Sequence, residues 1–173
     1  GPHPRRNPGD AVKDTTEASF PMVPLGDVCD IIGGGTPSKR NPYYYGGDIP
    51  WATVRDMISE TLVKTEHTIT REGLNNSSSK LIPAGEVVMA SRVGLGKACV
   101  LGQDTAINQD LRALIPKKGT ELERRFLFYW LMSIASVIVG AGSGATVQGV
   151  KLPFISGLSL PLPPLEEQRR IVA

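Results

Sequence analysis

The chain has 173 residues, of which 40% are hydrophobic, which suits one globular domain with tails and excludes a disordered segment. Its 19 Lys+Arg against 17 Asp+Glu leave a formal net charge of only +2, so a polyanionic partner would have to meet positive charge concentrated on one face. The two cysteines, Cys29 and Cys99, lie far apart with no histidine at metal spacing, which argues against a disulfide framework or a zinc site and suits a reducing cytoplasm.

In chain order, residues 1–21 are expected to be a disordered linker or an expression remnant. The stretch to Ser19 is polar, carries Pro2, Pro4 and Pro8, and lacks the apolar run of a secretory signal. The folded part opens near Met22, with a short turn and then an apolar run to Ile32. Gly33-Gly34-Gly35-Thr36-Pro37-Ser38 reads as a loop that Pro42 and Gly46-Gly47 extend to Asp48. Ile49 to Val54 has strand composition, with Pro50 near its start. Arg71 to Leu74 opens a short helix or turn, and Asn75 to Ser79 is a polar connection. Glu86 to Ala90 reads as a strand, Gly94-Leu95-Gly96 as a tight loop, and Lys97 to Leu101 as the returning strand of a hairpin. Ala106 to Ile115 is expected to be one further strand, ended by Pro116.

Glu121 to Val139 gives the strongest helical signal. Thr120 is its expected cap, Glu121 and Glu123 complement the dipole in its first turn, and Gly140 ends it. Phe126 to Val150 carries no charge, but Gly140, Gly142, Gly144 and Gly149 break its second half. A buried helix is therefore expected in place of a membrane span. Leu152 to Leu162 reads as extended. From Pro163, proline, then acids, then bases mark the start of a helix that stops after a few turns, which suggests a longer helix cut short. The elements add up to an α+β fold: a mixed, mostly antiparallel, barrel-like sheet with a few helices and a truncated C-terminal helix.

Motifs of catalysis do not survive inspection. Gly94-Leu95-Gly96-Lys97 resembles the end of a phosphate-binding loop, but Ser91 replaces the first glycine and Ala98 the magnesium-binding hydroxyl. Gly140-Ala141-Gly142-Ser143-Gly144 follows a helix, whereas a dinucleotide fingerprint follows a strand. Asn41-Pro42-Tyr43-Tyr44 lacks the second proline of the amino-methyltransferase motif. His3 lies in the tail, and His67 among Thr65, Glu66 and Thr68 reads as a solvated or half-buried residue. No Ser/His/Asp set or metal-ligand spacing is recognisable, so neither catalysis nor a bound metal or cofactor is expected of this chain.

Chemistry suited to DNA is present in the loops. Ser38, Lys39 and Arg40 sit in the glycine-rich loop, followed by Tyr43 and Tyr44. Arg55 follows Trp51-Ala52-Thr53, and Ser91 and Arg92 precede Gly94, with Lys97 just beyond. Gln109, Arg112, Gln148 and Lys151 add polar or basic groups near strand ends. Lysine and arginine neutralise phosphates, and arginine also pairs bidentately with guanine. A solvated turn with tyrosines packed on the core reads equally well from composition alone.

Gly34-Gly35-Thr36-Pro37-Ser38, Gly47-Asp48-Ile49-Pro50-Trp51, Leu81-Ile82-Pro83-Ala84-Gly85 and Ala106-Ile107-Asn108-Gln109-Asp110 resemble a target recognition domain of type I restriction-modification specificity subunits. The closing Leu160-Pro161-Leu162-Pro163-Pro164-Leu165-Glu166-Glu167-Gln168-Arg169-Arg170-Ile171-Val172 looks like that family's junction between recognition domain and spacer helix. The resemblance implies a non-catalytic DNA-binding domain over residues 22–162 and the start of a coiled-coil spacer helix over 163–173. It implies reading of one half of a split double-stranded site, and a second recognition domain reached through the spacer helices. It also implies modification (methyltransferase) and restriction subunits as partners, to which S-adenosylmethionine, magnesium and ATP would belong, all in the cytoplasm. Two alternatives stay open: the recognition domain of a fused type II enzyme that cuts and methylates, and a protein-interaction module that binds no DNA.

Overall fold

The computed structural model describes residues 20–142 and 149–173. The chain pairs β1 (Met22–Pro24) with β11 (Ser159–Pro161), and a one-turn helix α1 (Leu25–Val28) leads into β2 (Cys29–Gly33). Then follow β3 (Tyr45–Ala52), β4 (Thr61–Leu62), β5 (His67–Ile69), α2 (Arg71–Asn75) and β6 (Lys80–Ile82). After them come β7 (Val87–Ala90), β8 (Ala98–Leu101), β9 (Thr105–Ile107) and β10 (Leu111–Pro116). The helices α3 (Arg124–Ser133), α4 (Ala135–Ala141) and α5 (Leu152–Ser156) precede β11, and α6 (Leu165–Val172) closes the chain.

Among the described residues the larger sheets are a five-stranded one ordered β2-β10-β7-β8-β4 and a four-stranded one ordered β5-β3-β9-β6. Most pairings are antiparallel, but β3 runs parallel to β9 and β4 to β8. This is the mixed, mostly antiparallel α+β fold expected, with open sheets that do not close into a barrel. The expected hairpin forms, with Val87, Val88 and Met89 opposite Val100, Cys99 and Ala98.

Strand β7 is buried along its whole length, because its sheet is covered on both faces. Val87 and Met89 point to the helices, where they meet Leu114, Phe126, Leu127, Leu131 and Ile155. Val88 and Ala90 point the other way and pack with Ala52, Ile82 and Ile107 of the four-stranded sheet. A third cluster, Trp51, Ile69, Leu74 and Ala106, fills the far face of that second sheet beneath α2. The domain is thus layered: helices, five-stranded sheet, four-stranded sheet, short helix.

Several local expectations are corrected. The long helix does not begin at a Thr120 cap but at Arg124, with Glu123 as the N-cap residue. The Glu123 amide is satisfied by the Gln168 side chain of α6 at 2.7 Å, a partner that no local pattern announces. The same helix breaks at Ile134 into α3 and α4, bent by 58°. Both halves pack on the same core, Phe126, Leu127 and Leu131 from the first and Ile138 from the second, and Ser133 donates its hydroxyl back to the Trp130 carbonyl at the break. Among the described residues no single helix is long and apolar enough to cross a membrane; α3 and α4 meet that length and composition only as a bent pair. Leu152–Ser156 is helical, not extended, with Pro153 in the first turn where its missing N–H costs nothing. The stretch Ala106 to Ile115 is two strands in different sheets, divided by a turn in which the Asn108 side chain accepts from the Asp110 amide at 3.1 Å. The linker expected at residues 1–21 lies almost wholly outside the described residues. So do Ser143 and Gly144 of the expected glycine-rich helix exit, and Gln148.

Candidate nucleic-acid interface

Three loops meet around one concavity of about 400 Å³. The first is the glycine-rich loop after β2. Its backbone lies directly on β9: the Gly35 amide donates to the Ile107 carbonyl at 3.1 Å. A Cβ at Gly34 would stand 2.2 Å from that same oxygen, so only glycine fits. The Trp51 indole donates to the Gly35 carbonyl at 3.1 Å, and the Tyr45 hydroxyl to the Pro37 carbonyl at 2.6 Å. Burial holds the Tyr45 phenol above its ordinary pKa, which keeps it a donor. With the backbone fixed from two sides, Ser38, Lys39 and Arg40 are left exposed at the tip.

The second loop is the single 3₁₀ turn Val54–Asp56 that ends β3. Thr53 and Asp56 form a reciprocal cap, in which Asp56 accepts from the Thr53 amide at 2.9 Å and Thr53 from the Arg55 amide at 3.3 Å. The other Asp56 oxygen accepts from the Glu66 amide at 2.9 Å. The Asp56 carboxylate is therefore committed to backbone, and Arg55 projects exposed from a stiff turn.

The third loop joins β7 to β8. Ser91 is only 6% exposed. Its amide and its hydroxyl both donate to the Asp110 carbonyl, at 2.8 and 3.1 Å, and its own carbonyl accepts from the Val150 amide at 2.8 Å. Ser91 thus supports the loop from below in place of the surface contact expected of it. The neighbouring Arg92 is exposed, with its Nε 3.1 Å from Asp110 Oδ1. Gly94 and Gly96 take φ of 72° and 93°, left-handed values that glycine adopts without strain and that turn the chain back into β8.

The concavity is walled by Trp51 and His67. Thr36, Thr53, Asn108 and Gln109 line it with hydrogen-bonding groups, Lys39 and Arg55 with positive charge, and Glu66 and Asp110 with negative charge. Thr36 donates its hydroxyl to the Gln109 side-chain oxygen, which ties the first loop to the β9–β10 turn. Of the expected site residues, Lys39 and Arg55 line the concavity, and Arg92 reaches it through Asp110 and its neighbour Val93. Ser38 and Arg40 stand beside it on the same loop. Tyr43 is 77% exposed, while Tyr44 is half-buried, with its carbonyl accepting from the Thr70 amide at 2.9 Å; neither lines the concavity. Lys97 lines a separate recess with Ile58, Phe128 and Met132. Arg112 is half-buried on β10, and Lys151 is exposed before α5. Sequence reasoning missed Thr36, Asn108 and His67 as lining groups, because strands far apart in sequence bring them together.

Binding residues concentrate on loops that a rigid scaffold holds in place, and the loops around this concavity carry cations and side-chain amides. Residues 19–173 match the family model described as the type I restriction modification DNA specificity domain. The chain is 31% identical over 155 residues to the EcoR124I/EcoR124II specificity subunit of Escherichia coli, covering 86% of this chain and 38% of that protein. It is 28% identical over 148 residues to the MjaIX specificity subunit of Methanocaldococcus jannaschii, covering 84% of this chain and 34% of the relative. The crystal structure of the HsdS subunit from Thermoanaerobacter tengcongensis superposes with a TM-score of 0.70 at 26% identity, over 91% of this chain and 37% of that one. The chain belongs to the type I restriction-modification DNA specificity domain family, and it spans little more than a third of the length of these relatives.

Proposed function

We propose that this domain reads one half-site of a bipartite double-stranded DNA target on behalf of a type I restriction-modification complex. The observation that carries the reading is the convergence of Lys39, Arg55 and the Arg92 loop on one concavity lined by Thr36, Asn108 and Gln109. A chain of net charge +2 here gathers cations and amide groups at one place. Cations neutralise phosphates and set the register, while the arginine fork and side-chain amides match base edges in the major groove. Arg40 and Tyr43, exposed on the same loop, extend the contact along the duplex.

On this reading the domain performs no chemistry and holds no cofactor of its own. Modification subunits, carrying S-adenosylmethionine, and restriction subunits, using magnesium and ATP, supply the reactions in the cytoplasm. Helix α6 begins the spacer that joins a second recognition domain. It is amphipathic, with acids in its first turn and Arg169 and Arg170 in its last, as the helix dipole favours.

Fluorescence anisotropy against randomised duplexes, titrated with salt and followed by selection, tests the proposal. Binding should weaken with log salt at about −0.9 per phosphate neutralised, hence about −3.6 for four contacts, and one short sequence should be enriched. Absence of binding at low salt, or steep binding that enriches no sequence, would refute half-site reading.

A further inference from the structure

The cations around the concavity are not held alike. Among the described residues, the side chains of Lys39, Arg40 and Arg55 make no hydrogen bond or ion pair within the chain. Arg92 differs: its Nε lies 3.1 Å from Asp110 Oδ1, with the arginine side chain 55% exposed and the aspartate 15%. The carboxylate thus stands against the Nε side of a half-exposed guanidinium as an ion pair without an aligned hydrogen bond, and among the described residues the buried Asp110 Oδ1 has no hydrogen-bond partner.

The support beneath this pair is rigid. The Ser91 carbonyl and amide are fixed to Val150 and Asp110, and Asn108 fixes the Asp110 amide. Gly149 packs so closely that a Cβ there would fall 2.7 Å from Arg92 Cα. The arginine and the aspartate thus stand just beyond the ends of the neighbouring strands β7 and β10, which are joined beside the ion pair by the Ser91 amide and the Asp110 carbonyl.

Bracing of this kind selects what the guanidinium can bind. A guanidinium with a carboxylate against its Nε side keeps its two terminal nitrogens as parallel donors. A carboxylate against it lowers the net charge of the site and repels a phosphate. It does not repel the neutral acceptor pair O6 and N7 of a guanine in the major groove. The unbraced Lys39, Arg40 and Arg55 suit phosphates instead, since a phosphate contact asks for charge and little orientation. We infer that Arg92 is the base-reading residue of this loop cluster and specifies a guanine, with Asp110 positioning it, while Lys39, Arg40 and Arg55 hold the DNA backbone. This inference rests on the DNA-reading function proposed above.

The test compares sequence selection and salt slope for the parent domain and the variants Arg92→Lys, Asp110→Asn and Arg55→Ala, each checked for an unchanged melting midpoint. The parent should enrich a guanine at one position. Arg92→Lys should lose discrimination there by about 5- to 150-fold and retain the remaining preferences, because lysine keeps the charge and loses the fork. Asp110→Asn should relax the same position and no other, an effect that general destabilisation would not confine to one base. Arg55→Ala should keep the selected sequence and reduce the magnitude of the salt slope by about 1. An Arg92→Lys domain that enriches the parent's sequence would overturn the inference and leave half-site reading intact. Failure of the parent domain to bind any duplex would remove both.

Discussion

Gln168 is the most informative single position for the stability of the junction between the domain and α6. Its side chain is fully buried, and each of its hydrogen bonds ends on backbone. Oε1 accepts from the Glu123 amide at 2.7 Å, and Nε2 donates to the Glu121 and Pro163 carbonyls, both at 2.8 Å. The residue therefore caps α3 from a distance of 45 residues and at the same time ties down the entry to its own helix. Gln168→Leu keeps the volume and removes all three bonds. At about 1 kcal/mol net for each, and with the groups left behind still buried, the expected loss is about 3 kcal/mol. For a domain of this size that corresponds to a fall of about 6–12 °C in melting midpoint. Differential scanning calorimetry reads the midpoint, and hydrogen exchange at the Glu123 amide reports whether α6 alone has come away. A midpoint within about 1 °C of the parent's, together with unchanged exchange at Glu123, would refute the assignment.

Three further predictions rest on close packing and burial. Gly34→Ala should drive the first loop off β9, since the new Cβ would meet the Ile107 and Asn108 carbonyl oxygens at 2.2 and 2.4 Å. Weakened DNA binding with a lowered melting midpoint checks this. Burial, with lesser help from nearby acids, pushes the Cys29 and Cys99 thiols up to about 12 from an ordinary 9.0, so neither should react with a thiol reagent at pH 8 until the chain unfolds. Because the folded thiols hold their protons more tightly, their contribution to stability is complete below pH 9 and declines as pH rises from there towards 12. An alkaline series of urea unfolding curves reads that decline.

How much of this was legible before the fold was seen depends on the range of the interactions involved. The β7–β8 hairpin was readable because both of its signals, an apolar run and the Gly94/Gly96 turn, lie within a few residues. The strand from Ala106 to Ile115 was not, because the residues that divide it, Asn108 to Asp110, alternate no worse than a strand. Their turn shows only when Asn108 is seen holding the Asp110 amide. The start of α3 was misplaced for a similar reason, its cap being supplied by Gln168 from the far end of the chain. At the site, Lys39 and Arg55 were identifiable as cations on glycine- or turn-bounded loops. His67 carried no such signal: it reaches the concavity because β5 pairs with β3 and sets it beside Trp51, their rings 6.4 Å apart. Ser91 shows the opposite error, a polar residue beside an arginine that the fold turned inward.

The β9–β10 turn passes from one large sheet to the other, so the concavity straddles their seam. Lys39 and Arg55 ride on loops pinned to β3 and β9, whereas Arg92 rides on the β7–β8 loop of the opposite sheet. What keeps these groups in step is the apolar filling between the layers, in which Ala52, Ile82 and Ile107 meet Val88, Ala90, Leu111 and Ala113. The spacing of the groups around the concavity is thus inherited from residues that never see solvent. Adding or removing a methylene there would slide one sheet over the other and retune selectivity with every surface side chain unchanged. Drift of sequence preference in such a domain can therefore begin in its interior.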